Sequence, residues 1–310
     1  AMVKSTKMKR ILEVKNLSKK YNDFELKNVS FELPKGMILG FIGENGAGKT
    51  TTIKSILNIV NDYTGEINVF GMNNRKNDKA IKEDIGIVLD DMFFPEILNP
   101  KDINSIMKDI YVNWDSKLYF KYLKEFSLPQ NNQIKTFSKG MRKKLEIATA
   151  LSHHPKLLIL DEPTSGLDPV ARNEVIDIFQ DFIQNEECSI LLSSHITTDL
   201  EHIADYIVFI NDGEILLSKT RDELLERYGI VKCTEKEFKK INGNDKAYKI
   251  TNAGQLYWFA GLVNGTLKGV DQNRYANAIL TQSITVNKDV LGADSTLNSL
   301  TDLRYWTPIG

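Results

Sequence analysis

Gly43-Glu44-Asn45-Gly46-Ala47-Gly48-Lys49-Thr50 is the stretch on which the fold turns: a glycine, four residues, a second glycine, then lysine and threonine. It follows the apolar run Met37 to Ile42, which reads as a strand, and from Lys49 the chain reads as a helix. Glycines at this place allow positive φ and close backbone approach, so that successive N–H groups at a helix N-terminus can encircle a phosphate. Asn45, Gly46, Ala47, Gly48 and Thr51 belong to that cradle, and Lys49 neutralises the β- and γ-phosphates. The Thr50 hydroxyl suits Mg²⁺, a hard cation that keeps several waters and takes few protein ligands. The stretch therefore predicts a bound nucleotide with Mg²⁺.

Outward from this unit, short apolar runs alternate with helical patterns, the sign of an α/β fold with a mostly parallel core sheet. The expected strands are Ile11 to Val14, Leu26 to Phe31, Met37 to Ile42, Glu66 to Phe70, Ile85 to Leu89, Leu157 to Leu160, Ser189 to Leu192 and Tyr206 to Ile210. Runs without alternation, such as Leu157 to Leu160, are expected to be buried on both faces. Between Pro100 and Phe137 the strand signal fades, while Ile103, Ile106, Met107 and Ile110 recur at helical spacing, as do Leu118, Leu123 and Phe126. We expect a helical insert over about 98–150. Thr220-Arg221-Asp222-Glu223 reads as a capping box opening a short helix that ends near Tyr228-Gly229. A first domain is expected over 1–228 and a linker over 229–246. From about Asn242 the charge density drops, and a small separate segment is expected over 247–310.

The 310 residues carry 40 Lys and Arg against 41 Asp and Glu, so the net charge of −1 offers no electrostatic footprint for nucleic acid. Cys188 and Cys233 stand far apart without metal-ligand spacing, which fits free thiols in a reducing compartment. No apolar run of about 18 residues and no signal-peptide pattern occurs, and Ala1-Met2 reads as a cloning remnant. A soluble cytoplasmic chain is expected.

A second chemical element is Leu157-Leu158-Ile159-Leu160-Asp161-Glu162, an apolar strand ending in two acids. Beside a nucleotide loop their roles separate: Asp161 holds the Mg²⁺ shell, and Glu162 orients and deprotonates an attacking water. Phe137-Ser138-Lys139-Gly140-Met141, shortly before that strand, resembles the signature motif of the ABC ATPase family. Ser165-Gly166-Leu167-Asp168 is similar to the family's D-loop, and Ser194-His195 to its switch histidine. The resemblance covers about Ile11 to Tyr228, with the motifs in the family's order.

The resemblance implies a P-loop ATPase of the ABC type, with an antiparallel N-terminal β part and the helical insert attached to the core sheet. It implies ATP and Mg²⁺ as cofactors and a head-to-tail dimer with a second ATPase subunit, identical or paralogous. In that dimer Ser138 and Gly140, at the N-terminus of a helix running to about His153, face the γ-phosphate held by the other subunit. His195 would contact the γ-phosphate and the water at Glu162, and Tyr21 resembles the aromatic that stacks on adenine. The resemblance further implies an integral-membrane permease on a separate chain, and a position on the inner face of the cell membrane. A cytosolic ABC ATPase without a transport role shares these motifs and is the alternative. His153, His154 and His202 read as structural.

Two departures from the family pattern stand out. Asp90, followed by Asp91, occupies the place of the usual glutamine, where a carboxylate can still approach Mg²⁺ or its water. Lys139 and Met141 replace the common glycine and glutamine of the signature. After Asn242, the run Ile250 to Ala260 with its Tyr257-Trp258-Phe259 cluster, and the ending Trp306 to Gly310, resemble repetitive bacterial surface proteins.

Overall fold

The computed structural model describes residues 9–90, 94–194, 200, 203–227, 247–250 and 277–280. It divides into two units, Ala1–Tyr206 with Ile210–Glu214, and Ile207–Phe209 with Ile215–Gly310.

The first unit contains two sheets. β1 (Arg10–Lys20) and β2 (Glu25–Pro34) pair antiparallel; β3 (Ile38–Ile42) belongs to the other sheet. β4 (Thr64–Val69) and the short β5 (Met72–Asn73) complete the first sheet in the order β2-β1-β4-β5. β1 is longer than the apolar run Ile11 to Val14 predicted. Register shifts after Val14 and a left-handed Asn16 (φ 48°) carry it on to Lys20, and such bulges break the alternation by which a strand is recognised. β6 (Ile85–Val88), β7 (Leu157–Asp161) and β8 (Ser189–Ser194) run parallel with β3 in the order β3-β8-β7-β6. Every residue of β3, β7 and β8 is buried, as their unbroken apolar runs require of strands covered on both faces.

The register decides where chemistry can occur. Ile42 lies opposite Ser194, and Asp161 opposite Ser193, so β3, β7 and β8 reach their carboxyl ends together. In parallel α/β sheets that edge is where ligands bind. α1 (Lys49–Ile56) starts there, and α2 (Asp78–Glu83) precedes β6.

The expected insert is helical. α3 (Pro100–Ile110) begins with a capping box in which the Asn99 side chain accepts from Asp102 N and the Asp102 side chain accepts from Asn99 N. Of its predicted apolar face only Ile103 is buried; Ile106 and Ile110 are 41% and 58% exposed. α4 (Ser116–Glu125) buries Tyr119 and Leu123, and the Tyr119 hydroxyl donates to the Pro100 carbonyl at 3.1 Å. A 3-10 turn, Ile134–Thr136, leads to α5 (Lys139–Leu151), which buries Leu145, Ile147, Ala148, Ala150 and Leu151. Each fully buried Leu or Ile there stabilises the domain by about 1.5–3 kcal/mol. α6 (Pro169–Ile183) lies between β7 and β8 in the chain, and β9 (Tyr206–Asn211) ends at Asp212-Gly213, both at positive φ (50° and 77°). Two such residues suit a tight hairpin turn.

In the second unit, β10 (Glu214–Thr220), a strand the sequence did not announce, leads into α7 (Arg221–Arg227). The expected capping box is formed: Glu223 N donates to Thr220 Oγ1 at 3.1 Å, and Thr220 N to Glu223 Oε2 at 3.3 Å. The predicted end at Tyr228-Gly229 and the aromatic cluster at 257–259 lie outside the described residues. β11 (Ala247–Ile250) and β12 (Asn277–Leu280) pair in parallel.

His153 follows α5 and is 2% exposed. Its Nε2 donates to the Ile85 carbonyl at 3.1 Å, and its ring stacks on Tyr111 with centroids 4.0 Å apart. Burial holds its pKa below the ordinary 6.5, against the pull of the Ile85 carbonyl and the nearby Glu83 carboxylate. A histidine depressed in the folded state takes up its proton more readily when unfolded, so its stabilising effect is complete above the unfolded value and lost as pH falls below it. Thermal melts from about pH 7.5 to about pH 5.5 are therefore expected to show falling stability. His153→Gln, which keeps a donor for Ile85 without titrating, should flatten that slope; parallel slopes would show that His153 carries no part of it.

Candidate functional site

Gly43 follows β3 directly, and a side chain there has no room. A Cβ would stand 2.4 Å from the carbonyl oxygen of Ile210 and 3.1 Å from the Cβ of Ala47. Gly46 and Gly48 hold φ of 85° and 111°, which turns the loop so that Gly48 caps α1. Asn45 is exposed, Ala47 and Gly48 are buried, and Thr51 on the first turn of α1 is half-buried.

Lys49 is 5% exposed, and a buried ammonium must be bonded. Its Nζ donates to the Gly43 carbonyl at 2.7 Å and to the Glu44 carbonyl at 3.2 Å, and lies 3.4 Å from Glu162 Oε1. The loop thus wraps its own lysine and points it towards the end of β7. Thr50 Oγ1 donates to Asp161 Oδ2 at 2.8 Å, and the Ser193 hydroxyl donates to Asp161 Oδ1. Asp161 is 1% exposed, so these two hydroxyls fix both oxygens of a carboxylate removed from solvent.

Glu162 leaves the β conformation: its φ is 50°, in the left-handed region where a non-glycine residue is strained by about 1–3 kcal/mol. Ser193 holds it there, with Glu162 N donating to the Ser193 carbonyl and hydroxyl oxygens, both at 3.2 Å. The turn re-aims the carboxylate towards Lys49. Ser193 escaped the sequence reading, because nothing in the chain shows which residue of one strand lies opposite Asp161 on another. The Ser193-Ser194-His195 run was its only signal.

The signature residues pack on a different loop. Ser138 caps α5, its Oγ accepting from Met141 N at 3.2 Å, and a Cβ on Gly140 would lie 3.4 Å from Leu167 Cδ2. The stem of Lys139 passes Gly166 (φ 74°), its Cδ 3.0 Å from where a Cβ would stand. Asp168 caps α6 through the N–H groups of Ala171 and Val170, which hold its carboxyl below the usual range. Tyr21 is 41% exposed, with Lys19 Nζ 4.8 Å from its ring centroid. Asp90 is exposed, one residue beyond Leu89. His195, His202 and Asp91 lie outside the described residues.

Among the described residues no group of three or more His, Cys, Asp or Glu gathers for a metal. What converges is one hydroxyl and one carboxylate, the sparse oxygen set that suits Mg²⁺ beside a phosphate ligand. The residues present fit that ion.

The family model for "ABC transporter" matches residues 26–165. Among curated relatives, the bacitracin transport ATP-binding protein BcrA of Bacillus licheniformis is 33% identical, over 71% of this chain and 73% of its own. The lantibiotic transport ATP-binding protein SrtF of Streptococcus pyogenes is 35% identical, over 68% and 92%. A solved "ATP binding subunit of ABC transporter" superposes with a TM-score of 0.63 at 29% identity, over 69% of this chain and 91% of that one.

Gly43→Ala tests the crowding. The obstructing atom is backbone and cannot swing away, so the variant should lose about 1–3 kcal/mol of stability. Its affinity for a fluorescent ATP analogue should fall roughly tenfold or more as the loop is displaced. Thermal melts and nucleotide titration read both, and wild-type values in each would show that the loop accommodates the methyl group.

Proposed function

The chain belongs to the family of ABC transporter ATP-binding subunits, and on that premise we propose that Gly43 to Thr51, Asp161 and Glu162 form its ATP-hydrolysing site. ATP hydrolysis here powers transport through a separate permease. The observation that carries the residue assignment is convergence: Lys49 reaches Glu162 and Thr50 reaches Asp161, joining the helix start to the strand end.

In this reading the N–H groups of the Gly43 to Thr51 loop bind the phosphates, and Lys49 turns from the loop carbonyls to the β- and γ-phosphate oxygens. Mg²⁺, held through Thr50 and Asp161, would supply charge neutralisation at the phosphates. Glu162 accepts a proton from a water whose oxygen attacks the γ-phosphorus as the bond to the ADP oxygen breaks. His195 contacts the γ-phosphate and the water at Glu162, Asp90 approaches Mg²⁺ or its water, and Tyr21, being exposed, can stack on adenine. Ser138 and Gly140 of a second subunit, identical or paralogous and arranged head to tail, complete the site. The Ser138 cap leaves a positive helix terminus that suits a phosphate oxygen.

No helix among the described residues is long and apolar enough to cross a membrane. We place the subunit in the cytoplasm, bound to the inner face of the cell membrane through the permease. Relatives named for bacitracin and lantibiotic transport support the transport role. We also propose that 1–228 folds as the ATPase domain, with 229–246 as linker and 247–310 as an accessory segment. A chain ending at Ile241 is then expected to stay soluble and bind ATP; loss of both would make the remainder integral to the fold.

The site is tested by Glu162→Gln, which keeps shape and removes the proton acceptor. Hydrolysis should slow by roughly 10²- to 10⁴-fold with ATP binding retained. A dimer should accumulate with Mg-ATP, seen by size-exclusion chromatography with light scattering. Lys49→Ala should fail earlier, at binding. Wild-type turnover by Glu162→Gln would remove Glu162 from the role of base.

A further inference from the structure

Two successive basic residues of α5 reach the chain on either side of Asp90. Lys143 is 3% exposed, and its Nζ donates to the Leu89 carbonyl at 2.7 Å and pairs with Glu146 Oε2 at 3.2 Å. Leu89 immediately precedes Asp90, and Val88 before it pairs with Leu160, one residue short of Asp161. Arg142 reaches the other side: its Nη1 pairs with Glu96 Oε1 at 2.6 Å, and its Nε donates to the Phe137 carbonyl at 3.2 Å. Backbone bonds reinforce this second anchor, Lys135 N to the Glu96 carbonyl at 3.0 Å and Ile134 N to the Leu98 carbonyl at 2.8 Å.

The two anchors differ in kind. Arg142 and Glu96 are solvent-accessible, and such pairs are screened. Lys143 and Glu146 are buried, where an apolar pair of the same volume is often at least as stable. What the apolar pair lacks is direction: an ammonium selects one carbonyl oxygen, at one distance.

We infer that Lys143, supported by Arg142, is a positioning residue that fixes Asp90 to the signature helix, so that a displacement of α5 carries Leu89 and Asp90 with it. This rests on the reading of Asp90 as the residue that approaches Mg²⁺ or its water. Ser138 stands five residues before Lys143, so a displacement of α5 at the signature end reaches Leu89 through one side chain. The sequence hides this device, since a lysine within a run of basic residues reads as solvated surface.

The full chain is compared with Lys143→Met/Glu146→Met, which removes both buried partners and strands neither charge, with Glu146→Gln, which keeps the bond to Leu89, and with Asp90→Ala. In the double variant, amide exchange at Leu89 and Asp90 is expected to accelerate roughly tenfold while that of β7 is unchanged. ATP affinity should stay within about twofold, while half-saturating Mg²⁺ rises about fivefold and kcat falls about tenfold. Glu146→Gln should keep the wild-type Mg²⁺ dependence, and adding Asp90→Ala to the double variant should cause no further loss. Wild-type exchange and Mg²⁺ dependence in the double variant, or effects that add to those of Asp90→Ala, would overturn the assignment. Asp90→Ala indistinguishable from wild type would sink the reading beneath it, and the assignment with it. If the double variant does not fold, Arg142→Gln/Glu96→Gln decides: faster exchange at Asp90 with a raised Mg²⁺ requirement supports the anchor, and wild-type behaviour overturns it.

Discussion

The hydrogen bond from Thr50 to Asp161 joins residues 111 positions apart, and the site exists only where it forms. It holds the first turn of α1 against the end of β7, which sets where the Gly43 loop faces and brings Lys49 within 3.4 Å of Glu162. The bond itself contributes only about 1.5–3 kcal/mol, as a single hydrogen bond to a charged group does. Its leverage comes from the strands beneath it. β3 and β7 both pair with β8, so the loop and the two acids are carried on one rigid, fully buried platform. An enzyme that positions phosphates needs such rigidity, because small misplacement of a reacting group is costly.

Charge placement follows the same economy. Lys49 and Asp161 are both nearly inaccessible, and their nearest partners are neutral, two carbonyls for the cation and two hydroxyls for the anion, with the Glu162 carboxylate 3.4 Å from Lys49 Nζ. The Asp161 charge is thus stabilised by neutral partners that do not cancel it, whereas that of Lys49 is partly met by Glu162.

Much of this was legible in the chain because the informative signals are local. The Gly43 to Thr50 spacing encodes a loop geometry, the unbroken Leu157 to Leu160 run encodes burial on both faces, and Thr220 with Glu223 encodes a cap that the structure forms. What stayed hidden is what depends on register or on a partner far away. Ser193 matters because it lies opposite Asp161, and that pairing is a property of two strands. The face of α3 was overdrawn for a related reason: periodicity shows that Ile103, Ile106 and Ile110 share a side, but Ile110 remains 58% exposed because covering a side takes a neighbour. Lys143 inverts the usual expectation, a charge inside where composition suggests a charge outside.

The left-handed backbone at Glu162 also limits what can replace it. Asparagine and aspartate tolerate that conformation, and glycine is indifferent to it, whereas valine, isoleucine and threonine are penalised by their branched Cβ. Drift at this position is therefore channelled by main-chain geometry before chemistry is considered. A descendant that lost the carboxylate we propose as the base while keeping its fold would most readily carry a small or amide-bearing residue there, and on that proposal would bind ATP as a slow latch rather than a motor.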